Sequence, residues 1–119
     1  MSPPTEEDIM HYARLIMDSN PFKVRAPAEE NRHFRALFGC GVSIALNTWN
    51  KIVGDEDDLL PEGGTITHFL WTLLYCKVYP GWKTMRKITN GKDKKTLKNW
   101  IGRFVRSIEK IQAKVVNFV

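Results

Sequence analysis

Eleven of the eighteen lysines and arginines in this 119-residue chain lie beyond position 82: Lys83, Arg86, Lys87, Lys92, Lys94, Lys95, Lys98, Arg103, Arg106, Lys110 and Lys114. Only Asp93 and Glu109 oppose them there, so residues 83–119 carry +9. Residues 1–82 hold seven cations against eleven acids, for −4. The formal net charge of +5 therefore hides a strong asymmetry. Ammonium and guanidinium groups concentrated on one segment hold phosphates and other polyanions, so the first expectation is a polyanionic partner.

Other residue groupings point to weaker chemistry. Asp55-Glu56-Asp57-Asp58 supplies four carboxylates in a row, but the glycine turn and closing glutamate of a calcium loop are missing. That run reads as a solvated acidic loop. His11, His33, His68, Cys40 and Cys76 are metal-ligating types without CxxC or HxxxH spacing, and they fall on different helical segments. No metal and no cofactor is expected. Cys76 paired with a histidine would need an activating environment, and an apolar helix does not supply one. Both cysteines read as reduced, buried thiols. Gly63-Gly64 lacks the partner glycines and the Lys-Ser/Thr of a phosphate loop. The chain reads as non-enzymatic.

The elements that must carry the cations are helices. With 43% apolar and 26% charged residues, the composition is that of a globular domain of a size that buries a real core. Thr5 and the acids after it open a helix in which Ile9, Tyr12, Ala13, Ile16 and Met17 recur at helical spacing until Ser19-Asn20-Pro21. A loop with Lys23 and Arg25 follows. Pro27 starts a second helix, with Phe34, Leu37 and Phe38 on one side and Gly39 at its end. Ser43 begins a third, whose Ile44, Ala45, Leu46, Trp49, Ile52 and Val53 are expected to pack inward before Gly54. Thr65 caps a fourth, Ile66 to Tyr79, apolar on nearly every side and so expected at the centre. Pro80-Gly81 breaks it.

A short helix, Trp82 to Thr89, runs into Asn90-Gly91, the strongest turn dipeptide in the chain, and Asp93 caps a long last helix. In that helix Leu97, Ile101, Phe104, Ile108, Ile111 and Val115 form a continuous apolar seam. Lys95, Asn99, Arg103, Arg106, Lys110 and Lys114 share the opposite arc, within about 100° of one another. No run of alternating β-branched residues appears. The fold class is all-α: about six helices in one compact domain over 1–119, with a helix-turn-helix at about 82–116 ending in a long basic helix.

A short helix, a tight turn and a long basic helix match the lengths and turn chemistry of a helix-turn-helix. In that motif the first turns of the second helix touch base edges while the first helix lies against phosphates. Lys94, Lys95, Lys98 and Asn99 are then the base-facing set: Asn99 has the groups to read adenine and the lysines to read guanine. Lys83, Arg86, Lys87 and Lys92 would hold phosphates, and Arg103 and Arg106 would reach flanking backbone.

The residues also carry a family resemblance. Arg32-His-Phe-Arg-Ala-Leu-Phe-Gly39, followed by a helix ending at Trp49, resembles the F-x-x-L-F-G … W opening of Harbinger-type transposases of the DDE superfamily. His68 to Pro80, HFLWTLLYCKVYP, is similar to that family's HFLWAL-x-FLK-x-YP stretch. Lys94 to Val105 resembles the D-x-K-T-F-R-K-W-x-W-x-F-V helix that follows it. The matches are collinear over about residues 32–118. The resemblance implies the family's N-terminal helix-turn-helix region, which binds element DNA ahead of the nuclease domain. That nuclease needs three separated acidic metal ligands on an α/β fold, and the sequence ends at Val119 before one begins. The resemblance therefore implies DNA binding without cleavage.

The leading expectation is a nuclear module binding duplex DNA. The alternative is a protein–protein interaction module, a domesticated transposase domain docking another chain or a second copy of itself. A membrane partner is not expected. The longest apolar stretch, Phe69 to Tyr79, is interrupted by Thr72 and Lys77 and is too short to span a bilayer. The N-terminus is acidic where a secretory leader would be basic. Soluble, intracellular placement and no small-molecule substrate complete the expectation.

Overall fold

The computed structural model describes residues 3–18, 30–54, 59–89 and 91–116. Several expectations lie outside them: the loop with Lys23 and Arg25, the helix start at Pro27, the acidic run 55–58 and Asn90. So do the side chains of Lys114 and Val115. Within the described residues the chain is all-α. Its six helices are α1 (Glu6–Asp18), α2 (Glu30–Phe38), α3 (Val42–Val53), α4 (Ile66–Val78), α5 (Trp82–Ile88) and α6 (Lys94–Val116).

The helix starts follow from capping chemistry. Thr5 accepts from the Asp8 amide at 3.3 Å, and Asp8 Oδ2 accepts from the Thr5 amide at 2.8 Å, so two free donors of α1 are satisfied. Thr65 and His68 do the same for α4, with His68 in the place usually taken by glutamate. Arg14 ties α1 to α2, pairing with Glu7 at 2.6 Å and with Glu30. The Arg14 hydrogen bond holds the Glu7 carboxyl below its ordinary range.

Helix α4 is central and packs on α1, α2 and α6. Phe69, Leu70 and Leu74 are fully enclosed, and its one buried polar side chain, Thr72, donates to the His68 carbonyl at 3.1 Å. An aromatic triangle locks α3, α4 and α6 together: Trp49–Phe69 at 5.7 Å, Phe69–Phe104 at 6.0 Å and Trp49–Phe104 at 6.2 Å. Phe34 and Phe38 extend the same core through α2. Each fully buried side chain of this size contributes about 1.5–3 kcal/mol of transfer free energy, which makes the apolar stripes the main reason the helices associate.

Five inward assignments fail. Tyr12 (38% exposed), Ile44 (56%) and Val53 (49%) face solvent. The buried stripe of α3 is Ala45, Trp49 and Ile52, and Ile44 and Val53 flank it on opposite sides, each roughly a quarter turn away. Apolar composition named too wide a face. Cys76 is exposed and Cys40 half-buried, so neither thiol is the enclosed group expected. Helix α4 is enclosed along Phe69–Leu74, while its last turn, with Cys76 and Lys77, emerges from the core.

Candidate nucleic-acid interface

Helix α6 is fixed to the domain by its seam. Leu97, Ile101, Phe104 and Ile111 are buried and Ile108 is half-buried. Gly64 lets the preceding loop close against it, because a Cβ there would lie 2.9 Å from both the Phe104 ring and the Pro61 carbonyl. Farther along, the buried Ser107 hydroxyl donates to the Leu59 carbonyl, pinning the same loop to α6. Asp93 caps the helix: its Oδ1 accepts from the Thr96 amide at 2.7 Å, and its carbonyl from Leu97 at 3.0 Å. That amide bond, and next the Thr96 hydroxyl, hold the Asp93 carboxyl below its ordinary range, with Arg86 and Lys95 adding to the effect.

Helix α5 docks through Met85 and Ile88, leaving Lys83, Arg86 and Lys87 exposed. It ends where Thr89 donates its hydroxyl to the Met85 carbonyl at 2.8 Å and the Gly91 amide reaches back to the Arg86 carbonyl at 2.7 Å. Gly91 has φ +87°, a left-handed conformation that glycine adopts without strain. The chain thereby turns from α5 into α6 within five residues.

The seam faces the core, so the cations face water. Lys83, Arg86, Lys87, Lys92, Lys94, Lys95, Lys98, Arg103, Arg106 and Lys110 are all exposed, as is Asn99. Among the described residues the ion pairs are those of Arg14, and none of these ten cations has a carboxylate within salt-bridge distance. The contrast with Arg14, held by two glutamates, separates an internal tether from an unneutralised face.

Aromatic side chains divide that face into two edges. At one edge Lys94 Nζ and Lys98 Nζ lie 5.9 Å and 5.6 Å from the Trp82 ring centre, joining α5 to α6 by cation–π attraction. Trp82 stacks on Tyr75 (5.3 Å, 21°), and Tyr75 in turn meets Tyr79 at a tilt (5.2 Å, 31°). At the other edge Arg103 lies 5.6 Å from the Trp100 ring, which stacks flat on His68 at 3.9 Å and 4°. His68 Nδ1 accepts from the Thr65 amide at 3.2 Å, which requires a neutral ring. Burial, and secondarily the charge of Lys92, pushes the His68 pKa down.

The four base-facing candidates are thus not equivalent. Lys95 and Asn99 extend from the middle of the exposed arc, whereas Lys94 and Lys98 sit over Trp82. Of the phosphate candidates, Arg103 and Arg106 line an open pocket of about 320 Å³ with Lys110, Ser107 and the Leu59–Glu62 segment. Lys83, Arg86, Lys87 and Lys92 lie on α5 and the turn. The sequence did not place Trp82, Trp100, Tyr75 and Tyr79 beside the cations. The signal was present in the four-residue spacing of Tyr75 and Tyr79 at the end of an apolar helix, immediately before the basic segment.

Among the described residues no three metal-ligating side chains come together, and no helix is long and apolar enough to cross a membrane. No protein-family model, curated protein or solved structure matches the chain.

Proposed function

We propose that the chain is a nuclear, non-catalytic DNA-binding module that grips duplex DNA through α5, the turn and α6, used as a helix-turn-helix. The observation that carries this reading is the row of ten exposed cations without carboxylate partners among the described residues, mounted on α5, the turn and α6. An unneutralised face of this density costs self-repulsion, which a phosphate backbone relieves while releasing condensed counterions. In this reading Lys95 and Asn99 reach base edges, with Lys94 and Lys98 beside them. Lys83, Arg86, Lys87, Lys92, Arg103 and Arg106 contact phosphates. The resemblance to the N-terminal region of Harbinger-type transposases points the same way.

The protein-docking alternative has less to stand on. Ile44 and Val53 are exposed on opposite sides of α3 and do not form one apolar patch.

A salt-titrated binding assay comparing duplex DNA, duplex RNA and single strands tests the proposal. Duplex DNA is expected to bind with affinity falling steeply with salt. Charge reversal by Lys95→Glu with Lys98→Glu is expected to abolish binding and lower thermal stability only by the lost Lys98–Trp82 contact, about 0.5–1 kcal/mol. Normal binding by that variant would remove α6 from the recognition role. A complex with another protein, without duplex binding at low salt, would favour the docking alternative.

A further inference from the structure

We infer that the ladder Tyr79–Tyr75–Trp82, at the Lys94/Lys98 edge of the cationic face, is a stacking site for an unpaired base next to the bound duplex. The inference rests on the DNA-binding reading and names a second feature of its ligand: a duplex carrying a single-stranded extension.

Three observations converge on the ladder. Tyr79 is the most exposed large apolar side chain among the described residues, at 76%. Its ring leans against Tyr75 at a 31° tilt, and most of it lies in water. Tyr79 also has φ +55°, and it is the one described non-glycine residue with positive φ. Glycine or asparagine takes that conformation readily, whereas other L-residues pay for it in strain. Here the strained position at the end of α4 carries an aromatic ring and presents it to solvent. Finally, the ladder's inner end is the ring over which Lys94 and Lys98 hold their ammonium groups.

Rings at stacking distance with cations alongside match a nucleotide's two parts, a flat base and a charged phosphate. Paired bases inside a duplex are already stacked on their neighbours and have no free face to offer Tyr79. An unpaired base has one. Lys94 and Lys98 belong to both features, so a strand leaving the duplex at the start of α6 passes phosphates across them and brings its first unpaired base onto the ladder. An acidic peptide would satisfy the lysines but would gain nothing from the tyrosine face.

The test uses the full 119-residue chain and three fluorescent DNA probes: a blunt duplex, the same duplex with a 2-aminopurine-containing overhang, and the overhang strand alone. Wild type is expected to bind the overhang duplex roughly tenfold more tightly than the blunt one and to quench 2-aminopurine on binding. Tyr79→Asn removes the ring and keeps a residue that tolerates the left-handed backbone. This variant is expected to lose the overhang preference and the quenching while keeping blunt-duplex affinity. Equal binding of blunt and overhang duplexes by wild type overturns the ladder site and leaves the duplex reading intact. So does an overhang preference that survives Tyr79→Asn. Tyr79-dependent quenching by the single strand without blunt-duplex binding keeps the ladder and removes the duplex reading. Binding of a polyglutamate peptide but of no DNA overturns both.

Discussion

Replacing Lys87 and Arg106 together by glutamine tests whether the exposed cations act as phosphate contacts. The two lie on different helices, both are exposed, and neither has a carboxylate partner among the described residues. They belong to a proposed set of six phosphate contacts: Lys83, Arg86, Lys87, Lys92, Arg103 and Arg106. Counterion release gives a slope of log K against log salt of roughly −0.9 per phosphate neutralised, so six contacts predict about −5.4. Wild type should then lose roughly 1,800-fold in affinity between 50 and 200 mM salt. Removing two contacts flattens the slope to about −3.6, and the same salt change then costs roughly 150-fold. Neither side chain contributes to the core, so stability should change by no more than about 0.5 kcal/mol. Fluorescence anisotropy with a blunt duplex over a salt series reads the slope, and thermal melting reads stability. An unchanged slope would refute the phosphate assignment. A flattened slope accompanied by a large fall in melting temperature would mean that the substitutions act through the fold.

Three further outcomes follow from the geometry. Phe104→Ala empties the meeting point of α3, α4 and α6, where Phe104 is fully enclosed against Trp49 and Phe69; denaturant unfolding should show a loss of about 3–5 kcal/mol, a large share of a small domain's stability. Gly91→Ala meets nothing within 4 Å but must hold φ +87°, so it should cost about 1–2 kcal/mol from backbone strain alone; a stability unchanged from wild type would show that the turn re-forms differently. His68 has a folded-state pKa below its ordinary value, so it contributes stability that is complete above about pH 6.5 and lost as pH falls through the folded pKa. Protonation breaks the Thr65 amide bond to Nδ1. Melting temperature should therefore decline on acidification below neutrality, and His68→Gln should flatten that part of the profile; an identical profile would exclude His68 as its source.

The legible part of the fold was local. Thr5, Thr65 and Asp93 announced helix starts because a short polar side chain satisfies amides only a few residues away, and all three do so. The turn glycine at 91 and Gly39 at the end of α2, both at positive φ, followed from backbone preferences that neighbours do not alter. The seam of α6 was readable because a period near 3.6 must bury one side, and that same necessity put the cations outward. Charge asymmetry, being a property of composition, needed no fold at all.

What only the tertiary structure decided was which apolar side chains are covered, and by what. Ile44 and Val53 have the right spacing to be inside, yet the neighbouring helices cover only the Ala45–Trp49–Ile52 stripe. Cys76 lies on an apolar helix whose last turn leaves the core. Trp82 and Trp100 are half-buried and pack against the core. They also lie under Lys94, Lys98 and Arg103, where residues distant in sequence meet across α4, α5 and α6. Spacing along a chain fixes the direction a side chain takes from its own helix axis. What stands in that direction depends on how the other helices pack, and no local rule contains it.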